Sequence, residues 1–83
     1  MTDVYISMND KLSKEKEKSL FRFQVNKKIM NMTSDDSVFM HCLPASIGKE
    51  VTDDVIRGQK SITIKQAKNR MYVQMGLLEW LNI

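Results

Sequence analysis

Eighty-three residues, 42% hydrophobic and 28% charged, are enough for one small globular domain with a thin core. Thirteen basic against ten acidic residues give a formal net charge of +3, with the two signs interspersed, so there is no nucleic-acid footprint. One cysteine excludes an intramolecular disulfide; with no signal-peptide pattern and no apolar run long enough to span a membrane, the expected location is cytoplasmic.

Thr2 to Met8 opens the chain, and Val4, Tyr5 and Ile6 have strand propensity. Met1 abuts this strand directly; a natural domain can begin with a strand, and a reading frame that opens partway into one would look the same. Asn9-Asp10 is a turn signal that also suits a helix cap. A helix is expected from Leu12 to Phe21, its Lys14-Glu15-Lys16-Glu17-Lys18 run forming a solvated face. Phe21, Phe23 and Val25 supply apolar contacts after it. Asn26 then caps a short second helix through Met32.

Thr33 to Ser37 is a loop by composition. Val38 to Leu43 is a near-continuous apolar run, which predicts a strand covered on both faces, and Pro44 stops it. After a loop with Gly48, Thr52 is an expected N-cap for a short helix; Asp53 and Asp54 suit its first turn and Gly58 its exit. Ser61 to Ile64 is a short β-branched strand, and Lys65 to Leu81 the longest helix. Ala67, Met71, Met75, Leu78 and Leu81 form one apolar stripe on it, while Val73, Leu77 and Trp80 are apolar elsewhere. A helix apolar nearly all round needs cover on more than one side, from another domain or another subunit. Strands alternating with helices predict an α/β fold with a mostly parallel sheet.

The residues with chemistry to offer end the apolar run. His41-Cys42-Leu43-Pro44 holds the only histidine, cysteine and proline in the chain. Neighbours on a strand point to opposite faces, so His41 and Cys42 do not suit a nucleophile–base pair with each other. By composition alone the favoured reading is a hydrogen-bonded core residue for His41 and a small buried hydrophobe for Cys42. No spacing supports a metal site.

The string His41-Cys42-Leu43-Pro44, after Phe39-Met40, resembles the His-Cys-Leu-Pro motif of ornithine carbamoyltransferases. Asp3-Val4-Tyr5-Ile6-Ser7-Met8 is similar to that family's Asp-(aromatic)-x-Ser-Met-Gly substrate loop. Gln24-Val25-Asn26, Glu50-Val51-Thr52-Asp53-Asp54-Val55 and Gln66-Ala67-Lys68-Asn69-Arg70 resemble later segments in the same order. The resemblance spans nearly the whole chain but only part of the family's protein. Residues 1–83 match the C-terminal portion of its ornithine-binding domain, and the N-terminal carbamoyl-phosphate domain, with its phosphate loop, is absent. It implies a partial doubly wound, mostly parallel α/β sheet with flanking helices, the Rossmann-like half of a two-domain enzyme.

By that resemblance Asp3 holds the α-amino group of ornithine, and Ser7 and Met8 belong to the loop that closes over the amino acid. Cys42 is the proton acceptor beside the side-chain amine. Cys42, Leu43 and Arg70 meet carbamoyl phosphate. Without the resemblance, Arg70 reads as an ordinary surface residue of a helix. The reaction implied is carbamoyl phosphate plus L-ornithine giving L-citrulline and phosphate. No metal or organic cofactor, nucleic acid or membrane is implied. The family's homo-oligomer is a trimer, formed largely through the domain not matched here.

Four departures stand out: Asn9 for glycine, Tyr5 for tryptophan, Ser46-Ile47 for a frequent His-Arg, and Lys68 for glutamate beside Arg70. Two other readings remain: a split-gene remnant that acts as an interaction module, and part of a carbamoyltransferase for another amine.

Overall fold

The computed structural model describes residues 1–5 and 14–82. Among these residues four helices follow one another: α1 (Lys14–Phe21), α2 (Lys27–Asn31), α3 (Asp53–Ile56) and α4 (Thr63–Trp80). The expected turn at Asn9-Asp10, the helix start at Leu12, and both Ser7 and Met8 lie outside the described residues.

The parallel sheet expected from the sequence does not form as continuous strands among the described residues. What forms is four isolated bridges, all parallel: Thr2 with His41, Phe39 with Ser61, and Val51 with both Val25 and Ile47. The segment around Phe39 is nevertheless hydrogen-bonded on both sides. Thr2 N–H donates to the Met40 carbonyl (2.9 Å), Phe39 N–H to Lys60 (2.7 Å) and Ile62 N–H back to Phe39 (3.0 Å).

Cover on both faces of Val38 to Leu43 is also corrected. Phe39 and His41 are buried, but Val38 and Leu43 are about half exposed. The run is continuous in composition yet alternates in space, because a pleated backbone sends successive side chains to opposite faces whatever their polarity. The strand expected over Ser61 to Ile64 is shorter still. Only Ser61 is bridged, and α4 begins at Thr63, two residues before the expected start. The β-branched run misleads because propensity is a weak preference, and Thr63 and Ile64 fall within the first turn of an 18-residue helix.

Other local signals hold. The Asn26 side chain accepts from Ile29 N–H at 3.0 Å, capping α2 as its position suggests. Thr52 is the N-cap residue of α3, although its hydroxyl bonds Asp54 and not a helix amide. In α1, Lys14, Glu15, Lys16 and Lys18 are exposed, and Glu17 pairs with Lys49 at 3.0 Å. Phe21 and Phe23 remain exposed, Phe23 lying under the Arg22 guanidinium at 4.9 Å.

The core is small. Among the described residues Phe39, Val51 and Val55 are its buried hydrophobic members, with Val25, Met30 and Ile56 packed against them. Residues 24–26 tie it to the loop before α3. Val25 exchanges backbone bonds with Glu50 (2.9 Å) and Thr52 (3.1 Å), and the Gln24 amide donates to the carbonyls of Gly48 and Lys49, both at 2.9 Å. Gly48 takes a φ of +90°, which suits a residue without Cβ, and its N–H closes the turn on Val51 at 2.7 Å.

From Ile64 to Asn82, α4 and its exit are exposed apart from the half-buried Gln66. The apolar second half of the helix, Trp80 at 77% exposure included, has no cover among the described residues. A Cα radius of gyration of 15.6 Å, against the roughly 12 Å expected for this length, reflects that reach.

Candidate functional site

Register builds the site. Because Thr2 pairs with His41 in parallel, the next residue on each segment, Asp3 and Cys42, fall side by side. The Cys42 thiol donates to Asp3 Oδ1 at 3.1 Å, and the same oxygen accepts from Val4 N–H at 2.7 Å. Both bonds hold the Asp3 carboxyl below its usual range, the thiol contributing most. The same pairing pushes the Cys42 thiol up, chiefly because a carboxylate accepting its proton favours the neutral form. Both residues are exposed.

His41 turns the other way. Its Nε2 lies 2.9 Å from Glu50 Oε1, both side chains wholly buried, and its Nδ1 bonds the Cys42 carbonyl. Glu50 Oε1 also accepts from Ser46 N–H at 2.7 Å. Glu50 Oε2 and the Tyr5 hydroxyl are buried with no hydrogen-bond partner among the described residues. Burial, with the Glu50 charge adding to it, raises the Tyr5 phenol.

A cleft of about 250 Å³ opens beside the cysteine, lined by His41, Cys42, Leu43, Gln66, Ala67 and Arg70. Arg70 stands two turns into α4, further from the helix start than the sequence suggests, and its guanidinium has no partner among the described residues. Lys68 lies 6.0 Å over the Tyr72 ring and offers Arg70 no counter-charge. Leu43 precedes Pro44 across a cis peptide bond. Thus Asp3 and Cys42 meet directly, Leu43 and Arg70 share the cleft with Cys42, and Ser7 and Met8 are outside the described residues. No group of three or more His, Cys, Asp or Glu side chains among the described residues is placed to hold a metal ion.

Sequence reasoning misses two residues. Glu50 reads as part of a helix-capping segment, yet it is the buried partner of His41. Gln66 reads only as part of a motif, yet its Oε1 accepts the His41 backbone N–H at 3.0 Å. A glutamate ahead of a short helix and a glutamine near the start of a long one carry no local signal of long-range pairing.

The Asp3–Cys42 bond has a measurable consequence. Asp3→Asn removes the charge that disfavours the thiolate, so iodoacetamide is expected to alkylate Cys42 several-fold faster at pH 8, with the rate profile displaced to lower pH. Identical profiles for the two chains would mean that the thiol does not feel the carboxylate.

A parallel-bridged segment ending in a thiol–carboxylate pair, beside a cleft that an arginine lines, suits a protein that holds a small charged substrate. The family model described as aspartate/ornithine carbamoyltransferase, Asp/Orn binding domain, matches residues 1–81, and the chain belongs to that family. Among curated relatives it is similar to the ornithine carbamoyltransferase of Bradyrhizobium diazoefficiens, 45% identical over 80 residues, covering 96% of this chain and 26% of that one. The enzyme of that name from Methanocaldococcus jannaschii is 46% identical over 81 residues, covering 96% and 27%. Among solved structures, ornithine carbamoyltransferase from Pyrococcus furiosus superposes with a TM-score of 0.82 at 44% identity, over 92% of this chain and 25% of that one. The anabolic enzyme from Campylobacter jejuni gives 0.86 at 31%, over 96% and 26%. The chain therefore spans about a quarter of the length of the curated relatives it matches.

Proposed function

We propose that the chain forms the C-terminal part of the ornithine-binding domain of an ornithine carbamoyltransferase, acting in the cytoplasm. The α/β, Rossmann-like reading of that domain is supported by the parallel sense of every bridge. The observation that carries the functional reading is the Asp3–Cys42 hydrogen bond at the edge of a cleft that Arg70 lines.

In this reading the Asp3 carboxylate takes the α-ammonium of L-ornithine, with Ser7 and Met8 closing the loop over it. A charge-assisted bond of that kind is strong, and it also offsets the negative charge that keeps the Cys42 thiol neutral. Cys42 then becomes easier to ionise once the amino acid is bound, and its thiolate can accept a proton from the side-chain ammonium. The neutral amine attacks the carbonyl carbon of carbamoyl phosphate. A C–N bond forms, the C–O bond to phosphate breaks, and inorganic phosphate leaves with the electron pair and takes up the proton that the attacking nitrogen gives up. Leu43 offers backbone to the carbamoyl group and Arg70 balances charge on the phosphate side. No metal or organic cofactor enters these steps.

Holding two substrates in line is the main task of such an enzyme. The phosphate-binding half belongs to a carbamoyl-phosphate domain outside residues 1–83, and any trimer would rest largely on that domain. The 83-residue chain is therefore expected to bind L-ornithine weakly and to make no citrulline. Saturation-transfer NMR with L-ornithine, alongside a citrulline assay, checks both. Binding that Asp3→Asn abolishes supports the reading; binding indifferent to that change, or clear turnover by the chain alone, refutes it. The exposed apolar half of α4 favours a second reading, a module that only associates with a partner. That reading predicts no ornithine signal at all.

A further inference from the structure

Cys42 and Arg70 sit on separate pieces of the chain, and something must set the distance between them. Cys42 follows the bridged segment at Phe39 and His41, whereas Arg70 rides on α4. The start of α4 is held by the buried Thr63 and by the Ile62–Phe39 backbone bond. Beyond Ile64 the helix is exposed, so packing does little to fix its rotation or tilt. Gln66 is the exception. It is half-buried, and its Oε1 is bonded to the backbone N–H of His41, the residue next to Cys42. The donor there is an amide N–H, so the atom facing it must be the carboxamide oxygen.

Gln66 and Arg70 are four residues apart and share a helix face, separated by about 6 Å of rise. Both line the cleft beside Cys42. We propose that Gln66 is a positioning residue: its side-chain bond to the His41 backbone fixes where Arg70 stands relative to Cys42. The inference rests on the functional reading above only for naming those two groups as the ones that must be set. The bond itself joins the helix to the cysteine loop whatever the substrate.

Glutamine suits the post because it is long enough to cross from helix to loop and presents an acceptor without adding a charge to the cleft. A glutamate in its place would keep the acceptor; a methionine would keep the length and lose it. The same bond satisfies the N–H of His41, a residue only 1% exposed, so its loss also frees a buried donor.

The test uses the full chain and its single cysteine. A nitroxide on Cys42 broadens nearby protons, and the Arg70 Nε–H and backbone amide report its distance by NMR. Gln66→Met is expected to reduce that broadening several-fold, while Gln66→Glu restores it. The amides of Val51 and Val55 serve as the check that the core is intact. Unchanged broadening in Gln66→Met overturns the proposal, as does an equal loss in Gln66→Glu, whose carboxylate still offers the acceptor. If Gln66→Met fails to fold, the unsubstituted and Gln66→Glu chains decide together. A His41 amide that exchanges with solvent at the free-peptide rate overturns the proposal, and one that is strongly protected while the Gln66→Glu chain keeps the Arg70 broadening supports it. No substrate enters the measurement, so its failure is separate from a failure of ornithine binding.

Discussion

Glu50→Ala is expected to remove most of the folding stability of the chain, about 3 to 5 kcal/mol. His41 and Glu50 are wholly buried at the side chain and 2.9 Å apart. Removing the carboxylate leaves an imidazole with one ring nitrogen unpaired in the interior, and strips the Ser46 N–H of its acceptor. A small domain at the low end of the usual range, roughly 0.05 kcal/mol per residue, has only about 4 kcal/mol in total. Glu50→Gln keeps an acceptor for Ser46 and for one imidazole N–H, and is expected to cost less than the alanine. The informative companion is the double change His41→Leu with Glu50→Leu. Replacing both members of a buried pair by apolar groups is often near neutral, so the double variant is expected to be more stable than Glu50→Ala alone. Urea unfolding followed by circular dichroism measures all three. Trp80 fluorescence would be a poor reporter, because that ring is 77% exposed. A Glu50→Ala chain within about 1 kcal/mol of the original, the range of an exposed pair, would mean that the pair is not buried in solution.

Phe39→Ala is expected to cost about 3 kcal/mol or more, while Val38→Ala, one residue away, costs less than about 0.5 kcal/mol. Phe39 is 4% exposed and packs in a core whose other buried hydrophobic members are Val51 and Val55. Its removal opens a cavity that so few neighbours cannot refill, whereas the backbone bonds to Lys60 and Ile62 are untouched. Val38 is 54% exposed and has little burial to lose. The pair of measurements also separates two arrangements. A segment covered on both faces would lose stability at both positions; one covered on a single face loses it only at Phe39. Equal losses would restore the two-sided strand that the unbroken apolar run suggests.

What could be read without the structure was set by local physics and by motif. Asn26 caps α2 from its side chain alone, and the charged run of α1 keeps its face in solvent. The family was legible because the His41 to Pro44 string and the segments around it are specific. The apolar character of the second half of α4 was legible too, and those side chains stand exposed among the described residues. The end of the Ser61 strand and the one-sided burial of Val38 to Leu43 were not, because both depend on what lies across the chain.

Which residues are present to do chemistry, the order of the helices and the family all follow from the order of the amino acids. Which of those residues meet follows from the fold. The parallel register of Thr2 on His41 put the Asp3 carboxylate against the Cys42 thiol across 39 residues of chain. The same fold paired His41 with Glu50 beneath the cleft and tied α4 to the loop through Gln66. Those contacts form between residues 9 to 39 positions apart, and no local propensity or periodicity carries information over such a separation.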